Sequence, residues 1–557
     1  MIDNFPHILC VNPWIHDFAA FDFWAKPLGL LQLASMIREG GAKVSFLDCL
    51  NRFHPKAIEE NNQINKVNGI KILKDGRGPF RKKAIPLPEG VQISEKEFSS
   101  SKSLSSSKML SSDKIMFAGK SFSRYGIEPE WFRQDLQNLE ITPSLANQTI
   151  SRNQTASNNR GKPDLILVTS IMTYWASGVK ETISIIKEVF PDVPVVLGGI
   201  YATLCTEHAR KNSMADEVIT GAGEEQIYDI IKRYTGFSLK FHSKSAVYFS
   251  PTQPLPNGEG YNYSFPLGRD VEGLNNLDLL PYPALDLISN LTYAPILTSR
   301  GCPFSCTYCA SSFIEPTMRR RSPESVFEEI CHWHENYGVH NFAFYDDALL
   351  INPEKYILPL LERVLIYSQS KCSSSNIFSY SSKSSLSYLS SLSGQSFLPL
   401  SFHTPNALHI RQINKDIADL MFKTGFKTVR LGLETTDFSN SRKEDIKVKK
   451  DEFYNAVSML KQAGFQKDQI GAYLLCGLPN QNLDDVEHSI TIVKQTGIIP
   501  VLAYYTPIPH TKMWKEAVNH SRFDLENEPF FTNNALFPCI NNEHEIKKIS
   551  ELKKMTK

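Results

Sequence analysis

Ser299-Arg300-Gly301-Cys302-Pro303-Phe304-Ser305-Cys306-Thr307-Tyr308-Cys309 sets three cysteines at C-x3-C-x2-C spacing, directly after the apolar run Ala294 to Leu297. A short apolar run broken by Gly and Pro reads as a buried strand and the loop that leaves it. Thiolates are soft ligands, and three so close together can wrap one iron–sulfur cubane. Three ligands for four irons leave one iron open. Zinc would want four closed ligands, usually from separated C-x2-C pairs, and no matching second pair exists here.

From this loop onward, strand and helix alternate six times. The pattern predicts strands at Ala294 to Thr298, Asn341 to Tyr345, Leu398 to His403, Thr428 to Glu434, Ile470 to Cys476 and Leu502 to Thr506. Helices fit between them at Pro323 to Tyr337, Lys415 to Thr424, Glu452 to Ala463 and Leu483 to Thr496. A serine-rich insertion, 368–396, interrupts the unit between the second and third strands and reads as a surface loop. Residues 517–557 carry no recognisable motif and read as a carboxy-terminal tail.

Upstream, a second alternation begins with a strand at His7 to Val11, a helix at Leu28 to Arg38 and a strand at Val44 to Leu47. It stops for an irregular excursion, 51–160, that includes the serine-dominated Ser99 to Ser112 and a candidate helix at Tyr125 to Leu139. It resumes with Asp164 to Thr169, a near-continuous apolar strand of the parallel-sheet type, then the helix Val179 to Phe190. The strands Val193 to Leu197 and Glu217 to Ile219 run into Gly198-Gly199 and Gly221-Ala222-Gly223-Glu224. This is the signature of a doubly wound parallel α/β domain, 1–236, with ligands bound beyond the carboxyl ends of its strands. Both glycine turns fall on that edge. A linker, 237–288, containing Pro251-Thr252-Gln253-Pro254-Leu255-Pro256, joins it to the second unit, 289–516.

Composition removes several function classes. A net charge of +1, from 60 basic and 59 acidic side chains, gives no bulk attraction for nucleic acid or an anionic membrane. The amino terminus lacks a signal-peptide pattern, and no stretch approaches the roughly 20 apolar residues of a membrane span. Ten cysteines in 557 residues are no disulfide framework. Together these predict a cytoplasmic protein. Cys10 and Cys49 lie in apolar strands, where a free thiol is an ordinary core residue; with Cys205 they are the only candidates for a second cluster.

The cysteine spacing, with Tyr308 just before Cys309, resembles the radical S-adenosylmethionine superfamily. Asn12-Pro13, Pro27-Leu28-Gly29, Gly198-Gly199 and Gly221-Ala222-Gly223-Glu224 look like the amino-terminal domain of its cobalamin-binding members, over about 1–50 and 164–235. The resemblance implies a Rossmann-like cobalamin-type domain followed by a partial (βα)6 barrel. It implies Cys302, Cys306 and Cys309 on a 4Fe–4S cluster, S-adenosylmethionine on the open iron, and a 5′-deoxyadenosyl radical. It also implies cobalamin at Gly198, Gly199, Gly221 and Gly223, a small-molecule substrate, and an electron donor such as flavodoxin or ferredoxin. Methyl transfer to an unactivated carbon is the leading activity. The Asp-x-His-x-x-Gly pattern that gives cobalt a histidine elsewhere is absent, so no axial histidine is assigned.

Function in such architectures sits on loops at the carboxyl ends of strands. The second strand ends in Asp346-Asp347, placed either to bond the cofactor's amino group or to cap a helix. The third ends in His403-Thr404-Pro405-Asn406. The fourth, Arg430-Leu431-Gly432-Leu433-Glu434, resembles the superfamily's Gly-x-Glu strand end, although Arg430 is placed to neutralise Glu434. The fifth gives Cys476-Gly477-Leu478-Pro479, which looks like an adenine-contacting turn. Two other readings stay open: a methylthiotransferase with a second cluster, and a non-catalytic iron–sulfur redox sensor.

Overall fold

Two parallel sheets, each with helices packed against it, account for most of the chain. The computed structural model describes residues 5–19, 24–60, 81–88, 91, 121–139, 161–240, 276–376, 399–439 and 448–557. Ser99 to Ser112, Pro251 to Pro256 and most of the 368–396 insertion lie outside them.

In the first sheet His7–Asn12 is flanked by Lys43–Asp48 on one side and Leu165–Val168 on the other, followed by Val195–Leu197 and Glu217–Val218, all parallel. Counted along the chain the order is 2-1-3-4-5, a doubly wound arrangement with a crevice where the connections diverge. Strand periodicity splits the core. Ile8, Cys10, Leu165 and Val196 face helices Leu28–Glu39 and Gly223–Thr235, whereas Leu9, Val11, Ile166 and Val195 face helix Ala176–Val189.

The second sheet takes Ala294–Ile296, Asn341–Phe344, Ser401–His403, Phe426–Glu434, Ile470–Cys476 and Ile499–Tyr504 in sequential, parallel order. This is the partial barrel that the alternation predicts. Helix boundaries follow cap chemistry: the Ser322 hydroxyl accepts from Ser325 N before Pro323–Tyr337, and left-handed Gly338 ends it. Asn414 and Gly425 do the same for Lys415–Thr424. The sixth strand begins three residues earlier than the apolar pattern suggests and includes Pro500. As an edge strand it tolerates a residue with no N–H to donate.

The helix expected at Tyr125 to Leu139 is Pro129–Gln137. Gly126, at φ +125°, turns the chain first, and Ser123–Tyr125 joins a small antiparallel sheet with Ile15–Asp17 and Lys82–Ala84. The end of the linker is fastened to helix Leu28–Glu39: Gln32 Nε2 donates to the Pro281 carbonyl (2.8 Å), and Arg38 makes two bonds to Asp286 (2.6 and 3.0 Å). Residues 517–557 carry helix Glu543–Met555, which buries Ile549 and Leu552 in the barrel core. Just before it, buried Asn533 donates to Asp17 Oδ1 of the first domain (2.9 Å), so this segment ties the two domains together. Among the described residues, no helix is long and apolar enough to cross a membrane.

Candidate cluster loop and cofactor cavity

The cysteine loop leaves the first barrel strand and is pinned at its base by Asp346. This carboxylate is 3% exposed and accepts from Thr298 N (3.1 Å), Thr298 Oγ1 (2.6 Å) and Ser299 Oγ (2.7 Å). Burial raises its pKa, and these donors with nearby Arg320 pull it back. Asp346, expected as a cofactor ligand, is thus committed to holding the turn that leads into Cys302. Nor does the acidic pair cap a helix, since the next one begins at Ile357. Asp347 is the member that faces the cavity; its Oδ2 accepts from Ser311 Oγ (2.7 Å), which lies 3.3 Å from Cys309 Sγ. The Ser311 N–H also points at that sulfur (3.5 Å), the kind of outer-shell donor that supports a ligating thiolate.

Cys306 is buried, while Cys302 and Cys309 are partly exposed. Thr307 accepts from Met513 N (2.9 Å), and Tyr308 packs against the cluster of Leu475, Leu478 and Met513. Among the described residues, no three His, Cys, Asp or Glu side chains converge as ligands of a single ion would. A cubane takes one thiolate per iron, so its ligands sit farther apart than those around one ion. Cys10, Cys49 and Cys205 are buried in the first domain, and burial pushes the thiols of Cys10 and Cys205 up to about 12 and raises Cys49 well above its usual value, the behaviour of core side chains.

The other strand ends converge above the loop. Asn406 Nδ2 donates to the carbonyls of Tyr345 (2.9 Å) and Asp346 (3.3 Å), bracing the end of the second strand. Glu434 is buried and takes φ +67°, where the register with the fifth strand slips. A non-glycine residue held left-handed at a strand end is a recurrent mark of function. Arg430 turns to the carbonyls of Val429 (3.2 Å) and Gln469 (3.3 Å), not to the Glu434 carboxylate. Gly432 passes close to its neighbour: a Cβ there would lie 3.2 Å from Ala407 Cβ. At the fifth strand the N–H groups of Gly477 and Leu478 both donate to Gln481 Oε1 (2.7 and 3.2 Å), and Gln481 Nε2 donates to Leu475 O (2.9 Å). Gln481 builds the turn and was not anticipated; a glutamine four residues after a glycine is too common a pattern to have singled it out.

A cavity of about 390 Å³ lies between the domains. Gly198, Gly199, Gly221 and Gly223 wall it from the carboxyl edge of the first sheet, together with Gly29 at the start of helix Leu28–Glu39. Arg300, Gly301, Tyr345 and Asp347 wall it from the barrel. Glu224 and Arg300 form a buried ion pair across the two sides. Burial raises the Glu224 carboxyl, and Arg300 outweighs this to leave it below its usual value. The glycines divide into two kinds. A Cβ on Gly29 or Gly198 would meet nothing within 4 Å, so these bare walls leave room for a large ligand. A Cβ on Gly199 would lie 2.6 Å from the Ser170 carbonyl, and one on Gly223 2.8 Å from Leu33 Cδ1. Those two line the cavity but are required for packing, Gly199 against the Ser170 backbone and Gly223 against Leu33. The bare walls and the uncapped start of helix Gly223–Thr235 fit a bulky, amide-rich cofactor such as cobalamin.

Comparison with known proteins agrees with this geometry. A profile of the radical SAM superfamily matches residues 296–493, and one of the B12 binding domain matches 144–231. An uncharacterized methyltransferase of Pyrococcus horikoshii is 24% identical over 380 residues, covering 64% of this chain and 70% of that protein. The anaerobic magnesium-protoporphyrin IX monomethyl ester cyclase of Cereibacter sphaeroides is 27% identical over 214 residues, 35% of this chain and 32% of that protein. Among solved structures, the radical S-adenosylmethionine methyltransferase TsrM of Kitasatospora setae aligns with a TM-score of 0.52 at 13% identity, covering 92% of this chain and 76% of that one, a likeness of fold. With a B12-binding domain set against a radical SAM domain, the chain belongs to the cobalamin-binding radical S-adenosylmethionine enzymes, whose cofactors are a 4Fe–4S cluster, S-adenosylmethionine and cobalamin.

Proposed function

We propose that this enzyme methylates an unactivated carbon of a small molecule, and that one observation carries the reading: the glycine edge of the B12-binding domain and the base of the cysteine loop wall the same cavity. When bound, the cluster and S-adenosylmethionine supply a 5′-deoxyadenosyl radical and cobalamin supplies a methyl group. Cys302, Cys306 and Cys309 hold the cluster, with Ser311 supporting Cys309. Tyr308, Asp347, Asn406, Gly432, Glu434 and the Gly477-Leu478 turn surround S-adenosylmethionine. Gly29, Gly198 and Gly221 leave space for the corrinoid, and the Glu224–Arg300 pair fixes the two domains in register across it. The cavity lies between the two domains, and reactive intermediates formed there require water to be excluded once the cofactors are bound. The electron comes from a donor such as flavodoxin or ferredoxin, in the cytoplasm.

Anaerobic purification and reconstitution test this directly. We expect about four irons and one cobalamin per chain, since one three-thiolate cubane is the full complement. About eight irons would overturn the reading in favour of a methylthiotransferase. Absence of 5′-deoxyadenosine or S-adenosylhomocysteine under reducing conditions would leave a redox sensor.

Glu434 offers a separate check. A carboxylate that bonds ribose hydroxyls stabilises the bound cofactor by ~1.5–3 kcal/mol, more than tenfold in affinity. Glu434→Gln is expected to weaken S-adenosylmethionine binding by that factor while the cluster spectrum stays unchanged. Unaltered affinity in the variant would remove Glu434 from the cofactor site.

A further inference from the structure

A loop of the B12-binding domain reaches into the barrel and brings a cation with it. Trp24 lies against His403 of the third barrel strand (ring centroids 5.2 Å) and against Tyr293 (5.0 Å). Two residues on, the Lys26 ammonium sits 5.8 Å from the centre of the Tyr293 ring. The Tyr293 and Tyr345 hydroxyls are bonded to each other (2.8 Å), and Tyr345 is part of the wall of the central cavity. Arg52, from the loop after the second strand of the first sheet, places a further cation beside Tyr293.

Lys26 is partly buried against these rings, and that burial lowers its pKa. The carboxylate that acts on it is Asp48, which forms no ion pair with it; Asp48 Oδ1 instead accepts from Asn12 Nδ2 (2.8 Å) and Leu50 N (2.9 Å). Buried cations are normally matched by an adjacent anion, because desolvation costs more than distant attraction returns. Among the described residues no carboxylate forms an ion pair with Lys26, which lies on the side of the tyrosine pair, next to the central cavity.

We propose that Lys26, flanked by Arg52 and the Tyr293–Tyr345 pair, forms the subsite that takes an oxyanion of the substrate, a carboxylate or phosphate carried on a flat unsaturated framework. The aromatic faces of Trp24, His403 and Tyr293 supply contact for the flat part, and the cations fix its charged end. The inference rests on the reading of the shared cavity as the reaction site, and it makes the B12-binding domain a determinant of substrate choice.

The test uses the reconstituted holoenzyme and three probes of one shape: 2-naphthoate, 2-naphthyl phosphate and 2-naphthamide. Binding is followed by saturation-transfer nuclear magnetic resonance and calorimetry. At least one of the two anions is expected to bind at least tenfold more tightly than the amide, and the tighter one identifies carboxylate or phosphate as the group recognised. Lys26→Met is expected to erase that preference and Lys26→Arg to retain it, with thermal unfolding of both variants confirming the fold. Equal affinity for acid and amide, failure of both anions to bind, or a preference that survives in Lys26→Met would each overturn the proposal. Iron and cobalamin are counted on the same samples. A missing cobalamin would thus count against the methyltransfer reading, while the anion preference is scored separately.

Discussion

Cys306→Ala protein, reconstituted without air, is expected to show no 4Fe–4S absorbance and to form no 5′-deoxyadenosine, and Cys302→Ala and Cys309→Ala are expected to behave alike. Three thiolates are the smallest set that holds a cubane and leaves one iron open, so removing any one removes the cluster. The loss will not be a folding defect. The loop is positioned independently of its sulfurs, by the bonds from Thr298 and Ser299 to Asp346 and from Met513 to Thr307. Trimming a buried thiol to a methyl leaves a small void, and Cys306 is the most enclosed of the three. Cys331→Ala, on helix Pro323–Tyr337, is the control and is expected to keep the full iron complement. Parental rates of 5′-deoxyadenosine formation in Cys306→Ala would refute the ligand assignment.

Legibility in the sequence tracked how local the responsible physics is. Strands such as Ile470–Cys476 and helices such as Pro323–Tyr337 and Lys415–Thr424 appear at the expected bounds, because apolar period and cap residues are local signals. The sixth strand was misplaced because Pro500 is acceptable only at a sheet edge, and edge position is a property of the assembled sheet. Residue type at the strand ends was readable, but its use was not. Asp346 and Asp347 are adjacent and identical, yet one is buried under Thr298 and Ser299 while the other meets Ser311 beside Cys309. Arg430 alternates with Glu434 along the strand, but the slip in register at Glu434 separates the pair that alternation implied. The Glu224–Arg300 pair joins residues 76 positions apart, and nothing in either segment announces the other.

The glycine turns carry the second large effect, and they separate folding from ligand binding within one dipeptide. Gly199→Val is expected to leave little soluble protein. Its Cβ would lie 2.6 Å from Ser170 O, 2.7 Å from Thr169 Oγ1 and 2.9 Å from Ser170 N, and the residue holds φ +91°. A β-branched side chain in that region costs ~1–3 kcal/mol in backbone strain. Forcing it against a sheet-end backbone adds ~1–3 kcal/mol more, a large share of a domain's stability. Gly198→Val meets none of this, since its Cβ points into open space and its φ lies outside the left-handed region. Stability is expected within ~0.5 kcal/mol of the parent, as for a substitution that touches nothing. The branched side chain would nevertheless stand in the cavity wall shared with Gly29 and Gly221, where a corrinoid must come close to the backbone. Hydroxocobalamin uptake is therefore expected to be lost in Gly198→Val, with thermal unfolding of the cobalamin-free protein unchanged. Parental uptake by Gly198→Val would move the cobalamin site off this edge, and a well-folded Gly199→Val would show that the turn at Ser170 yields more readily than its contacts imply.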